Sequence, residues 1–355
     1  MEKKKNEMFR LLLFFFLLIG IEVVQSSSHH HHHHRSHDYC CSKLFVFGDS
    51  YVDTGNSRVS VSRGWHKPYG MTFPGKPAGR ASDGRVFTDF VASSIGIKSP
   101  VPYQWINLGR PELVKYGINF AYGGTGVFDT QSSYPNMTVQ ISFFQQLIQE
   151  GVYSKLDLNS SMALVSAAGN DYSAYLARNN GTLKGLPTLI ELVVNQLALN
   201  LKRIYSLGVK KVVVNGLHPL GCVPLITALS SYQKCGENEN TLVRFHNLSL
   251  KQAVEKLNNE TNSSTFRILD LYSAFMSILS KKSNTGSLKF SNRLEPCCVG
   301  IDSAHACGST NENGLNMYRV CDNPEAAFFW DLVHPTQEGW CAVYSSLQAS
   351  LEQIY

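Results

Sequence analysis

The chain has 355 residues, 43% of them hydrophobic and 17% charged, an ordinary globular composition. Its formal net charge is +5. The first 28 residues carry four basic and three acidic side chains, which leaves +4 on the remainder, spread without long basic runs, so nucleic acid is excluded as a partner.

The N-terminus reads as a secretory signal peptide over residues 1–28. Lys3, Lys4, Lys5 and Arg10 precede an apolar run from Leu11 to Ile19, and small residues come after it at Ser26 to Ser28. As a membrane anchor the run is too short, and the charge of Glu22 keeps it from extending, so no membrane span is expected once the signal is removed. Residues 29–42 form a His-rich segment led by six consecutive histidines, His29 to His34, in keeping with a tag or a low-complexity tract. Residues 43–355 read as one domain, since no repeat and no linker divides them.

Leu44, Phe45, Val46 and Phe47 suit a buried strand that stops at Gly48. Ser50 stands three residues after Phe47, where a sharp turn can present its hydroxyl at the rim of a sheet. Val52 occupies the place that glycine holds in a Gly-x-Ser-x-Gly elbow, so this is a different turn. Tyr116 to Ala121 is a weaker strand. Met162 to Ala168, Val209 to Val214 and Phe266 to Leu271 are further strand-like runs.

Helical periodicity fills the intervals. Val139, Phe143, Leu147 and Ile148 share a face. Leu189, Val193, Leu197, Leu201 and Ile204 mark a longer helix from Thr188 to Leu207, and Glu239 to Leu257 and Thr336 to Leu351 repeat the pattern. Strands alternating with helices predict an α/β fold with a mostly parallel sheet covered on both faces. Lys281 to Asp322, rich in polar residues, glycine and cysteine, reads as a long stapled loop.

Nine cysteines suit an oxidising compartment. Cys222 and Cys235 are spaced to close a loop, and Cys297, Cys298, Cys307 and Cys321 form a second cluster, while Cys40, Cys41 and Cys341 stand apart. The odd count leaves at least one thiol unpaired or paired between chains. Adjacent Cys297 and Cys298 lack the usual zinc-ligand spacing, so disulfides are the better reading. Six Asn-x-Ser/Thr sites, at Asn136, Asn159, Asn180, Asn247, Asn259 and Asn262, are candidate glycosylation positions, each expected on an exposed loop or helix end.

Four segments are able to carry chemistry. Asp331-Leu332-Val333-His334 has the spacing that lets a carboxylate accept the Nδ1 proton of an imidazole and leave Nε2 as a base. An Asp capping a turn and a His satisfied by backbone would give the same letters. Gly123-Gly124 ends the strand Asn119 to Ala121 and offers backbone N–H groups at close range, or simply a glycine turn. Asn170, in Gly169-Asn170-Asp171, either donates to a developing negative charge or caps the next helix. Gly123, Gly124 and Gly126 lack the third glycine of a dinucleotide fingerprint, and no Walker sequence or His-Glu-x-x-His is present, so no cofactor or metal is expected.

Together with Ser50 these blocks, in their order along the chain, resemble the GDSL esterase/lipase family of plants, within the SGNH hydrolase group, from Lys43 onward. Pro219 to Pro224 and Cys297-Cys298 resemble it too. The resemblance implies a three-layer α/β/α sandwich with a flavodoxin-like sheet. It also implies Ser50 as nucleophile, His334 as base and Asp331 as its orienter. The oxyanion hole would come from the Ser50 backbone, Gly124 (with Gly123 the weaker candidate) and Asn170. Ala81 departs from the family, which usually carries phenylalanine there, a change that bears on packing or the acyl groove. The expected activity is hydrolysis of lipid or small acyl esters by a secreted, extracellular enzyme. The alternatives are acyl transfer from the same intermediate, or a non-catalytic secreted protein that binds lipid or carbohydrate.

Overall fold

The computed structural model describes residues 41–108, 111–280 and 289–354, all within one compact unit, Tyr39–Tyr355. The signal-peptide reading, with Cys40 and the His-rich segment up to it, lies outside the described residues. Cys41 and Ser42, assigned to that segment, belong to the folded unit, Cys41 buried and the Ser42 N–H donating to the Ser160 carbonyl at 2.8 Å.

Successive side chains of a strand point to opposite faces, so an unbroken apolar run demands cover on both. β1 (Lys43–Gly48) meets that demand. Phe45 and Phe47 pack into one core, Leu44 and Val46 into another, and all four are fully buried. Along the chain follow α1 (Phe87–Ser94), β2 (Val101–Pro102), β3 (Ile118–Asn119), α2 (Met137–Gln149), α3 (Lys155–Asn159), β4 (Ser161–Ser166), α4 (Gly169–Arg178), α5 (Leu186–Ser206) and β5 (Lys211–Asn215). Then come α6 (Pro224–Thr227), α7 (Glu237–Thr261), β6 (Phe266–Leu269), α8 (Leu271–Leu279), β7 (Asn292–Pro296), β8 (Cys298–Gly300), β9 (Tyr318–Val320), β10 (Ala327–Phe329) and α9 (Gln337–Glu352).

The central sheet runs β2-β3-β1-β4-β5-β6, and every neighbouring pair is parallel. Without the short edge strand β2 this is the flavodoxin-like winding, and it reverses direction at β1. Helices α2, α5 and α7 cover the face of Phe45 and Phe47, through Ile141, Phe144, Ile190, Val193, Val243 and Leu250. Helices α1, α8 and α9 cover the other, through Phe87, Val91, Phe275, Trp340 and Val343. The fold is the expected three-layer α/β/α sandwich.

Two local expectations need correction. The buried face of α2 is Met137, Gln140, Ile141, Phe144 and Leu147, whereas Val139 is 39% exposed. A search for apolar residues alone rotates that face, because a hydrogen-bonded glutamine occupies its middle. The segment 281–322 is not one loop. β7 pairs in parallel with β10, and β8 pairs antiparallel with β9. Its strands escape periodicity because they are short and share a small cluster of their own, with Cys298, Tyr318 and Val320 packed beside Tyr69 and Trp330.

The disulfides are Cys222–Cys235, Cys297–Cys321 and Cys298–Cys307. The second cluster is thus two bridges, with no thiolate left to hold zinc. Among the described residues no helix is long and apolar enough to cross a membrane.

Candidate active site

Parallel strands deliver their C-terminal ends to one rim, and a crevice opens there where the winding reverses. The turn after β1 occupies that point. Gly48 holds φ +143°, and a Cβ there would lie 1.9 Å from the Ser166 carbonyl oxygen of β4, so only glycine permits the approach. The Asp49 N–H donates to that same carbonyl at 3.0 Å. Gln140 of α2 grips the strand end: its Oε1 accepts from the Gly48 N–H (2.8 Å) and its Nε2 donates to the Gly48 carbonyl (3.0 Å). Ser50 heads the turn and is part-buried.

From the far end of the domain, the turn 331–334 meets it. Asp331 Oδ1 accepts from the N–H groups of Val333 and His334, both at 2.9 Å, and His334 Nδ1 lies 2.9 Å from each carboxylate oxygen. The Tyr69 hydroxyl donates to Asp331 Oδ2 at 2.8 Å. With its Nδ1 proton directed at Asp331, His334 presents Nε2 as an acceptor, 2.8 Å from Ser50 Oγ. Behind it, Thr336 caps α9 through the Gly339 N–H, and the Trp330 N–H donates to the His334 carbonyl at 2.7 Å.

Electrostatics follow from this packing. Burial alone would lower the His334 pKa, but the Asp331 charge and hydrogen bond, helped by Asp49, hold it above the ordinary imidazole value. Burial opposes ionisation of Asp331, yet the His334 charge and the hydrogen bonds it receives keep its pKa below the usual carboxylate range. Burial pushes the Asp49 pKa up to about 7, against the lowering effects of the Tyr51 N–H and the His334 charge.

The glycine block is clamped by two buried carboxylates. Asp53 accepts from the N–H groups of Gly55, Asn56 and Gly123 and from Ser57 Oγ, and burial raises its pKa to about 6. Asp171 accepts from the Val127 and Phe128 N–H groups, both at 2.9 Å. The Gly123 N–H is thereby committed to Asp53 and Ser57, at 3.1 Å each, which corrects its candidacy as an oxyanion donor. Gly124, at φ +79°, lines the cleft. Ala168, the residue before α4, adopts φ +107°, an uncommon conformation for a residue with a Cβ. Asn170 Nδ2 donates to the Thr125 carbonyl at 2.9 Å and retains a second hydrogen.

Ser50, Gly124, Asn170, Asp331 and His334 share one cleft of about 830 Å³. On it, α4, α5 and α7 place aliphatic side chains, among them Leu176, Leu186, Ile190 and Leu242, while the 57–64 loop and the turn after β8 supply Ser62, Arg63, Asp302 and His305. Ala81 lines the cleft as well. A hydroxyl beside an imidazole, a buried carboxylate behind that ring, and Gly124 and Asn170 in the same cleft form an arrangement able to carry out acyl transfer.

The family description GDSL-like Lipase/Acylhydrolase matches residues 44–346. The chain belongs to that family. The GDSL relatives include Arabidopsis thaliana proteins that share its length. GDSL esterase/lipase At5g03610 is 55% identical over 87% of this chain and 87% of its own, and GDSL esterase/lipase At3g09930 is 50% identical over 88% and 89%. Membership makes this GDSL protein a carboxylic ester hydrolase. A solved structure titled as an alpha/beta hydrolase enzyme from the metagenome of Lake Arreo, Spain, aligns at 11% identity over 88% of this chain and 96% of that one, with a TM-score of 0.39.

Several residues of this GDSL site were missed in the sequence. The Tyr51 hydroxyl donates to the Val333 carbonyl at 2.6 Å and lies 2.8 Å from His218 Nε2, so it accepts from that nitrogen. Burial, with the His334 charge, pushes His218 down to about 3, which keeps it neutral. Tyr51 and Asp53 sit inside the block around Ser50, and that position was the available signal. Gln140 and Tyr69 carried none, since each is an unremarkable residue in an ordinary stretch.

Among the glycosylation candidates, Asn159, Asn180, Asn259 and Asn262 are exposed, and Asn136 caps α2. Asn247 departs from expectation. It lies mid-helix in α7, and its amide bridges the Leu217 backbone, accepting from the N–H (2.7 Å) and donating to the carbonyl (2.8 Å).

Proposed function

We propose that this chain is a secreted serine esterase or lipase working through Ser50, His334 and Asp331. His334 Nε2 takes the Ser50 proton as Oγ attacks the ester carbonyl carbon. The resulting oxyanion is held by the Ser50 and Gly124 N–H groups and by Asn170 Nδ2. Collapse breaks the carbon–alkoxy bond, and His334 returns its proton to the departing alcohol. Water then repeats the sequence on the acyl-enzyme and releases the acid. The aliphatic side chains from α4, α5 and α7 would receive the acyl chain.

The observation that carries this reading is the 2.8 Å contact between Ser50 Oγ and His334 Nε2, with Asp331 2.9 Å behind the other ring nitrogen. Secretion is supported by the residue pattern of positions 1–28 and by three disulfides. Glycans would sit on the exposed Asn159, Asn180, Asn259 and Asn262 and at the Asn136 cap, and not on Asn247. The test is Ser50→Ala assayed on a simple aryl ester and with a fluorophosphonate probe. Turnover should fall at least about a thousandfold and labelling should vanish, with the fold intact. Near-normal turnover would overturn the nucleophile assignment.

A further inference from the structure

Asp302-Ser303-Ala304-His305 repeats the spacing of Asp331-Leu332-Val333-His334, and the repetition extends to the hydrogen bonds. Asp302 Oδ1 accepts from the N–H groups of Ala304 (2.9 Å) and His305 (3.1 Å) and lies 2.7 Å from His305 Nδ1. Asp331 Oδ1 makes the corresponding three contacts, each at 2.9 Å. Both turns line the same cleft. A carboxylate on Nδ1 fixes the tautomer and leaves Nε2 as an acceptor. At His334 the Ser50 hydroxyl meets that acceptor, whereas among the described residues none is found hydrogen-bonded to His305 Nε2.

The second turn is held by the frame that carries the first. Cys298–Cys307 and Cys297–Cys321 tie it to β8 and to Cys321, next to β9. The Cys298 N–H donates to the Trp330 carbonyl at 2.6 Å, one residue before Asp331. Gly308 lies against Tyr69, whose hydroxyl binds Asp331. With aliphatic side chains from α4, α5 and α7 suited to the acyl chain, the alcohol half of an ester is left to the polar wall that contains His305.

We propose that His305, oriented by Asp302, is a specificity-determining residue that accepts a hydrogen bond from a free hydroxyl on the alcohol half of the substrate. The preferred substrates are then acyl esters of polyhydroxy alcohols. This rests on the esterase reading above.

The test compares kcat/KM for a monoacylglycerol and for the ethyl ester of the same fatty acid. His305→Ala should lower the monoacylglycerol-to-ethyl-ester ratio about tenfold, mainly through KM, as loss of one hydrogen bond would. Asp302→Asn should shift the ratio the same way. His305→Gln, which keeps an acceptor at similar reach, should recover part of it and also controls for misfolding of the alanine variant. A ratio unmoved by His305→Ala, or lowered equally by His305→Gln, overturns the proposal while the esterase reading stands. Ethyl-ester turnover that survives Ser50→Ala overturns the Ser50 nucleophile assignment instead, and with it this inference, which is built on that site.

Discussion

Gln140 holds both sides of the Gly48 peptide, accepting from its N–H and donating to its carbonyl. The same Nε2 also lies within reach of the Pro135 carbonyl (3.0 Å) and Thr125 Oγ1 (3.3 Å). One side chain on α2 therefore ties the strand that leads to Ser50 to the loop that carries Gly124. Gln140→Leu fills similar volume but orphans the buried Gly48 N–H, while the Gly48 carbonyl keeps its bonds from the Tyr122 N–H and Thr125 Oγ1, so stability should fall by about 2 kcal/mol. Denaturant titration measures this, and kcat should fall more than KM changes. A variant as stable and active as the parent would show that the glutamine merely fills space.

The acid limb of the pH–rate profile should lie above pH 6.5. In the proposed mechanism His334 acts as a base only when neutral, and Asp331 raises its pKa, so kcat/KM should climb with pH through a transition above the ordinary imidazole value. Asp331→Asn removes the raising charge. The limb should move to lower pH while kcat drops by on the order of 10⁴. A limb that stays in place in the variant would assign the titration to another group.

Asn170→Ala should lower kcat by on the order of a hundredfold or more, with KM little altered, if its free amide hydrogen meets the oxyanion. Losing the 2.9 Å bond to the Thr125 carbonyl adds a stability cost of about 1 kcal/mol. Steady-state kinetics beside thermal melts separate the two effects, and an unchanged kcat would remove Asn170 from the oxyanion hole.

Asp49→Asn should make the protein more stable at alkaline pH relative to the parent. The folded-state pKa of Asp49 is about 7, above its unfolded value, so the stability it contributes is full at low pH and lost as pH rises toward 7. Asparagine does not titrate and keeps an oxygen for the Tyr51 N–H, which lies 3.1 Å from Asp49 Oδ1. The difference in unfolding free energy between variant and parent should grow by about 1.4 kcal/mol per pH unit between pH 4 and 7. A flat difference would mean that Asp49 is not charged and buried together.

The features legible in the sequence were local ones. The apolar run Leu44 to Phe47 reads as a strand covered on both faces because period 2 admits nothing else, and Asp331 and His334 are close enough in the chain for one turn to join them. The long helix α5 shows itself through the spacing of Val193, Leu197, Leu201 and Ile204. Hydrogen bonds that join remote segments are not legible that way. Nothing in the residue types predicts that Gln140 reaches Gly48 across 92 positions, that Tyr69 reaches Asp331 across 262, or that the Gly123 N–H turns to Asp53. The strands β7 and β9 escaped for a related reason: their residues take strand form from partners, not from a pattern of their own. The Cys222–Cys235 bridge matches its spacing, whereas the pairing within the cluster Cys297, Cys298, Cys307 and Cys321 needed distances that spacing alone does not supply.

Ser50 and His334 are separated by 284 positions, and α9, which begins soon after His334, packs Trp340 against Tyr51. A growing polypeptide therefore exposes its serine long before the imidazole that would activate it has been made. If the two residues act together as proposed, a chain cut short before residue 331 would hold all six strands of the central sheet and no acid–base partner for its serine hydroxyl.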